Sequence, residues 1–198
     1  TGGNLLPYSI IVEKNRLMNQ QLAQLCGGQS FIAQAPVNLI FLLDWHKLAV
    51  YSRKNNAPFT CNKSFRHFTI AMEDIVCAAQ SIETAAWLYG IGGCYVGTIL
   101  ECIPAIAELY KLPMLAAPVL LLSLGYPKTT AVPRKKLDQE LVVFRSTYPA
   151  LSSEKICEAY DRKYSGMRFS LPADPHRRQA LLDEFRAALR TTYNESKC

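Results

Sequence analysis

The 198-residue sequence has no apolar run long enough to cross a bilayer. Its most apolar stretch, residues 112–124, contains two prolines and is shorter than the ~20 residues that a membrane helix needs. The N-terminus also lacks the basic residues and apolar run of a secretory signal peptide. From these absences we expect no association with a membrane.

The seven cysteines include no C-x-x-C pair, and the three histidines are far apart in sequence. A structural zinc site needs clustered Cys and His ligands, so we expect no metal site. An odd number of cysteines without motif spacing is typical of free thiols in a reducing compartment, and we expect a cytoplasmic protein.

The formal net charge is +6, and part of the excess comes from the basic cluster at residues 134–136. A basic protein can bind nucleic acid or hold a phosphorylated cofactor. No helix-turn-helix, zinc-finger or RNA-binding pattern accompanies the charge, so we do not expect nucleic acid as a partner.

Three apolar runs have the length of β-strands and cover residues 8–12, 37–43 and 118–124. Four helical patterns lie between them: at residues 15–26, a short helix followed by a loop within residues 45–65, at residues 68–88 and from about Leu100. The second run is continuously apolar, which indicates a strand covered on both faces. Strands alternating with helices around it predict a three-layer domain of the α+β or α/β type.

The composition changes after Arg134. A strand or a short helix is predicted over residues 137–144, then a helix from Ser152 or Ser153 to about Tyr164, and a last helix over about residues 174–193. This last helix is either an oligomer arm or a further core helix, and the sequence favours neither.

Four segments carry the functional information. The first, residues 1–8, reads Thr-Gly-Gly-Asn-Leu-Leu-Pro-Tyr, and the second is Ala35-Pro36 before the second strand. The third covers residues 71–97 and joins an alanine-rich helix to a glycine-rich turn. The fourth is Leu112-Pro113, the third strand, Gly125-Tyr126-Pro127 and then Pro133-Arg134. The third is the most specific, because it is a continuous run of 27 residues, whereas Gly92-Gly93 alone would be weak evidence. Its glycine-rich turn would let backbone N–H groups approach the edge of a flat ring.

In this order the four segments resemble the nitroreductase-like family of flavoproteins. The resemblance covers roughly residues 1–148 and implies an α+β fold, a three-layer α/β/α sandwich. Residues 149–198 form a mostly helical extension, a possible dimer arm, and the family implies a homodimer. The resemblance places the following residues at the flavin: Thr1, Gly2, Asn4, Cys94, Tyr95, Val96, Gly97, Arg134 and Lys135.

Two features depart from the family pattern. Leu6 stands where the family usually has Gln. The family's Arg-Arg-Ser-x-Arg segment, which binds the phosphate and the ring edge, does not occur before Thr1. A basic side chain is the expected partner of a phosphate. We therefore assign the phosphate to Arg134, with Lys135 and Lys136 as neighbours that can substitute.

The resemblance implies FMN as cofactor and NADH or NADPH as electron donor. It further implies a nitroaromatic or quinone-like acceptor, reduced by alternating, ping-pong turnover. The segment between the second strand and the long helix offers aromatic side chains for an acceptor site: Trp45, Tyr51, Phe59 and Phe65.

The sequence leaves three alternative functions open. The first is a non-catalytic or degenerate flavin-binding scaffold of the same fold, which the missing basic segment favours and the glycine-rich turn opposes. The second is a flavin-fragmenting or deiodinase-type member, for which the stretch from Val12 to Ala35 is too short to hold an acidic lid. The third is a dehydrogenase with Lys47 and Tyr51 as an acid–base pair at helical spacing.

Overall fold

The computed structural model describes residues 2–129 and 132–164, and the chain divides into two compact units, residues 1–131 and 132–198. The strands of the first unit are β1 (Tyr8–Glu13), β2 (Val37–Asp44), β3 (Gly92–Val96) and β4 (Ala116–Gly125). Its helices are α1 (Arg16–Leu25), α2 (Ser30–Gln34), α3 (His46–Lys54), α4 (Phe65–Leu88) and α5 (Ile103–Leu109). Short 3-10 helices cover Cys61–Lys63 and Gly97–Glu101.

The four strands form one antiparallel sheet in the order β1-β2-β4-β3. The two central strands are the two long apolar runs predicted as strands. Ile40 on β2 pairs with Ile11 on β1 and with Leu121 on β4. Because β2 is central and covered on both faces, successive residues are buried on opposite sides, which explains its continuous apolarity.

The sheet separates two apolar cores, so the unit has three layers. One core joins α1, α2 and α5 to one face of the sheet. The other core packs α4 against the opposite face through Ile75 and Ala79, which meet Leu39 and Phe41 of β2. The α+β three-layer sandwich predicted from the sequence is confirmed.

Local capping explains where two helices begin. The Asn15 side chain accepts from the N–H groups of Leu17 and Met18, and this cap starts α1. The Ser64 side chain accepts from the N–H of His67 and starts α4 three residues before the predicted position. The apolar periodicity did not indicate these first residues, because Phe65 is exposed.

The register defines two ends of the sheet, which matter for the sites below. At the Asp44 end lie the start of β1, the end of β2 and the start of β4, with Asp44 paired to Ala116. β3 runs towards this end and continues into Gly97. At the Gly92 end, Gly92 pairs with Gly125 and Val37 pairs with Leu124. A ten-residue strand such as β4 separates the two ends by about 30 Å.

The second unit contains the 3-10 helix Gln139–Leu141 and the helix α6 (Ser153–Tyr164). Of the strand or short helix predicted over residues 137–144, the structure has only the 3-10 helix Gln139–Leu141, and the strand alternative is wrong. Two exposed ion pairs hold α6 to the turn region: Lys155 to Glu140 at 2.9 Å and Arg162 to Asp138 at 2.6 Å. The predicted last helix, residues 174–193, lies outside the described residues.

The division between the units comes earlier in the chain than the predicted domain boundary after residue 148, which stays a prediction. Among the described residues, no helix is both long and apolar enough to cross a membrane.

Candidate cofactor site

The N-terminal segment is held against α4 at the Asp44 end of the sheet. The Gly2 N–H donates to Asp74 Oδ1 at 2.9 Å. A Cβ at Gly2 would stand 2.0 Å from Ile70 Cγ2, so no other residue fits this backbone without a shift. Asn4 is exposed and has a positive φ of 58°, which asparagine tolerates better than most residues. Thr1 lies outside the described residues.

Asp74 is a buried carboxylate that the sequence prediction did not select as a site residue. Its side chain is 2% exposed, and its Oδ2 has no hydrogen-bond partner among the described residues. A buried charged oxygen without a donor is costly, so such an atom marks a place where a further polar group fits. The sequence signal was an acidic residue inside an otherwise apolar, alanine-rich helix.

The predicted flavin-binding residues of β3 and its extension have different environments. Cys94 and Tyr95 are exposed, whereas Val96 is 2% exposed and belongs to a core. Partial burial, and then the Glu83 carboxylate, raise the pKa of Tyr95 above its usual value. Gly97 opens the 3-10 helix, and a Cβ placed there would meet nothing within 4 Å. The backbone at Gly97 is therefore not covered by neighbouring side chains, and its role at a flavin stays a prediction.

The four predicted acceptor-lining aromatics do not share one environment. Trp45 is 5% exposed, and its backbone N–H donates to Leu115 O at 2.9 Å. Tyr51 and Phe65 are largely exposed, and Phe59 is half-buried. Phe65 also stacks on Phe68, with ring centroids 6.4 Å apart. The tryptophan is thus a core residue, and the other three offer apolar surface.

Lys47 has structural partners in this arrangement. Its Nζ donates to Tyr8 O at 2.8 Å and lies 3.6 Å from Asp44 Oδ2. The same carboxylate oxygen accepts from the Ser9 hydroxyl at 2.5 Å. These contacts tie α3 to the start of β1, so they account for Lys47 without an acid–base role beside Tyr51.

Arg134 and Lys135, the predicted phosphate ligands, belong to the second unit and are exposed there.

The register thus brings predicted site residues from separate parts of the sequence to one end of the sheet. Gly2 and Asn4 precede β1 and Trp45 follows β2 at this end, whereas β3 runs towards it and reaches Gly97 near the middle of the sheet, since Val96 pairs with Leu121. The N-terminal half of α4 lies at the Asp44 end too, since Asp74 holds Gly2. Open backbone at Gly97, an unpaired buried carboxylate and exposed aromatic rings make the part of the sheet between its middle and its Asp44 end suitable for a flat polar cofactor.

The sequence model of the Nitroreductase family matches residues 7–126, which is more than half of the chain. The chain belongs to the nitroreductase family. The match spans all four strands and includes α4 and the glycine-rich turn, so the family resemblance inferred from the four segments is confirmed.

Curated relatives include two bacterial reductases. The chain is 31% identical over 155 residues to the oxygen-insensitive NADPH nitroreductase of Salmonella typhimurium, an alignment that covers 78% of this chain and 62% of that protein. It is 27% identical over 154 residues to the NADPH-flavin oxidoreductase of Vibrio harveyi, with 78% and 62% covered. The chain thus spans about three fifths of the length of these relatives.

Solved structures of the same fold include two from Vibrio species. The NADPH:FMN oxidoreductase of Vibrio harveyi complexed with NAD+ superposes with a TM-score of 0.73 at 26% identity, covering 83% of this chain and 69% of that one. Nitroreductase A of Vibrio parahaemolyticus superposes with a TM-score of 0.72 at 27% identity, covering 82% and 67%. These similarities extend the family assignment from sequence to three-dimensional structure.

Within residues 2–129 and 132–164, no group of three or more His, Cys, Asp or Glu side chains is placed to hold a metal ion.

Proposed function

We propose that this protein is an FMN-dependent NAD(P)H oxidoreductase that reduces nitroaromatic or quinone-like acceptors. The observation that carries the proposal is the family match over residues 7–126. It is supported at Gly97, where no neighbouring atom covers the backbone. A bound FMN would supply the redox chemistry, hydride transfer from NADH or NADPH and then reduction of the acceptor in a separate, ping-pong half-reaction. The names of the relatives, which include an NADPH nitroreductase and an NADPH-flavin oxidoreductase, support this chemistry.

The residues between the middle of the sheet and its Asp44 end fit such a cofactor. Gly97 leaves room for a flat ring to approach the backbone, and backbone N–H groups can then stabilise developing negative charge on the ring. Asp74 Oδ2 offers an acceptor for a hydroxyl or ring N–H donor. Gly2 and Asn4 would complete the site on the α4 side, with Thr1 before them and Cys94, Tyr95 and Val96 leading into Gly97 from β3.

Arg134 and Lys135 are our candidates for the phosphate. A phosphate dianion needs charge-assisted donors, and the side chains of both residues are exposed. Arg134 is favoured because its planar guanidinium can donate two parallel hydrogen bonds to phosphate oxygens.

The acceptor would lie against Tyr51, Phe59 and Phe65, whose rings provide apolar surface for a flat molecule. Trp45 is buried and would contribute by supporting the start of α3 from the core. Lys47 contacts Tyr8 and Asp44, so we do not assign it to an acid–base pair with Tyr51. In this proposal the cofactor alone carries the redox chemistry.

The proposal is tested with protein that has been mixed with FMN and desalted. We expect a yellow protein that oxidises NADH or NADPH when nitro or quinone acceptors are added. Arg134→Ala should weaken FMN binding about ten- to a hundredfold, since losing a charge-assisted hydrogen bond costs ~1.5–3 kcal/mol. Arg145→Ala removes an exposed arginine from the same unit and serves as the matched control.

The outcomes separate the parts of the proposal. A protein that binds FMN but oxidises neither nicotinamide with any acceptor would be a flavin-binding scaffold and not a reductase. Equal FMN affinity in the Arg134→Ala and Arg145→Ala proteins would place the phosphate at another residue, with Lys135 and Lys136 to be tested next.

We further propose a homodimer located in the cytoplasm. α4 buries Ala71, Ile75 and Ala79 against the sheet, yet Phe65, Phe68 and Val76 on the same helix remain exposed. Such a stripe at helical spacing is typical of a helix with a second packing partner. The free thiols of the described cysteines are compatible with a reducing compartment.

A further inference from the structure

Two adjoining cavities lie at the Gly92 end of the sheet. Their volumes are about 370 Å³ and about 530 Å³. They share a wall formed by Gln34, Ala35, Pro36 and Lys128, so together they form one cleft with two halves. Its walls come from α1, α2 and the ends of β3 and β4.

The smaller half of the cleft is mainly apolar. It is bounded by the rings of Phe31 and Tyr126 and by Pro127, with Gly92 and Gly93 on the strand side. The prolines hold their backbone rigidly, and the glycines leave the opposite wall without side chains. This half has the shape and surface that suit a flat ring.

The larger half is basic. Lys14, Arg16 and Lys128 line it, and no acidic side chain does. None of these three cations forms an ion pair within the described residues; Lys128 contacts only Gln34 Oε1, at 3.4 Å. The adjacent Glu13 is buried and accepts from the Asn15 N–H at 2.7 Å, so its carboxylate is used elsewhere. Three converging positive charges without a counter-charge favour an anion.

Buried polar side chains form the floor of the cleft. Asn19 lines the basic half and Ser123 lines the apolar half, and these residues are 2% and 5% exposed. Both bond to the fully buried Asn38: its Nδ2 donates to Asn19 Oδ1 at 2.9 Å, and its Oδ1 accepts from the Ser123 hydroxyl at 2.6 Å. Asn19 Nδ2 also donates to Ala35 O in the shared wall, at 3.2 Å. This network fixes α1, β2 and β4 beneath the cleft, so the two halves are held in place before any ligand arrives.

We propose that this cleft binds a small organic phosphate with a flat ring, of the nucleoside monophosphate class. The ring lies in the apolar half against Phe31 and Tyr126, and the phosphate accepts from Lys14, Arg16 and Lys128. Cys94 lines the apolar half and is also one of the residues assigned to the flavin, so the separation of the two sites is itself part of the proposal. Gly97 lies five residues beyond Gly92, about 17 Å along β3, and the Asp44 end lies further away. Ligand binding in this cleft does not require the proposed redox activity.

The test is calorimetric titration of the full chain with AMP, adenosine and inorganic phosphate at low salt, with and without FMN. We expect AMP to bind to both forms and to bind at least tenfold more tightly than either fragment. Raising the salt should weaken AMP binding, because the three cations are solvent-accessible. FMN retention, followed by flavin absorbance, reports on the cofactor site independently.

Variants locate the ligand. The combined change Lys14→Met, Arg16→Gln and Lys128→Met should weaken AMP binding by about tenfold or more and leave FMN retention unchanged. Phe31→Ala should weaken AMP binding and leave phosphate binding unchanged. Lys54→Met, which removes an exposed cation at the end of α3, is the matched control and should bind AMP normally.

Four results would overturn the proposal. The first is no AMP binding by the unmodified protein, and the second is AMP affinity in the triple variant equal to that of the Lys54→Met control. The third is displacement of AMP by stoichiometric FMN, which would mean a single shared site. The fourth is phosphate binding as tight as AMP binding, which would show that the ring contributes nothing to recognition. AMP binding that survives FMN loading and is lost in the triple variant supports the site.

Discussion

At the scale of single residues, the buried side-chain amide of Asn38 connects three separate segments of the chain by hydrogen bonds. It donates to Asn19 Oδ1 and to Ile32 O, both at 2.9 Å, and accepts from Ser123 Oγ. We expect Asn38→Ala to lower the free energy of unfolding by about 2–5 kcal/mol, because several polar atoms would lose their partners in a dry core. Urea denaturation measures the change. The control is Asn62→Ala on an exposed turn, expected to stay within about 0.5 kcal/mol, and equal losses in both variants would contradict the argument.

At the scale of elements, the free thiols of two cysteines lie side by side: Cys26 follows α1, and Cys102 precedes α5. Burial, and then the neighbouring Cys102 thiol, raise the pKa of Cys26 from 9.0 to about 12. The folded protein therefore keeps a proton that the unfolded chain releases above about pH 9, so this contribution to stability is complete below pH 9 and is lost as the pH rises towards 12.

This pH dependence can be measured. Between pH 8 and pH 10.5, the free energy of unfolding of the unmodified protein should fall by up to ~1.4 kcal/mol per pH unit more steeply than that of Cys26→Ala. The cavity left by the substitution lowers stability at every pH, so the slope is the informative quantity. Cys77→Ala, at an exposed thiol on α4, should keep the steeper slope. Parallel slopes for all three proteins would show that Cys26 does not titrate differently on folding.

The elements also show which local signals the sequence carries. α1 was predicted almost to the residue, because Asn15 caps its start and Gly27, with φ of 77°, follows its end. α2 was missed, since five residues are too few for an apolar period to be visible. β3 was not assigned as a strand because it opens with two glycines, which strands usually avoid.

The candidate site was predictable only in part, for a related reason. The sequence identified the segments around Asn4 and Gly97 but could not show where each lies on the sheet, because that depends on strand register. The unpaired Oδ2 of Asp74 and the cleft beside Lys128 depend on packing between elements distant in sequence, so no local pattern indicated them.

At the scale of the whole molecule, the exposed stripe on α4 predicts the oligomeric state. Light scattering at micromolar concentration should return twice the chain mass of 22.2 kDa. Val76→Asp should shift the protein to monomers, because a carboxylate cannot be buried in an apolar interface without a partner. Leu17→Asp, at an exposed leucine on α1, should leave the dimer intact. A monomeric unmodified protein would remove the case for the dimer.

The antiparallel pairing of β2 with β4 affects how the chain is made. β2 begins at Val37, and its central partner begins only at Ala116. At a synthesis rate of 5–20 residues per second, β2 leaves the ribosome roughly 4–16 s before β4 can join it. During this time α4 has already been synthesised, yet half of the sheet that it covers is absent. Closing so long a loop is slow, because its entropy must be lost before the contacts form. Until then β2 can pair only with β1, so the nascent chain carries an apolar strand with one unpaired edge for seconds, and it would need protection from aggregation while it is being made.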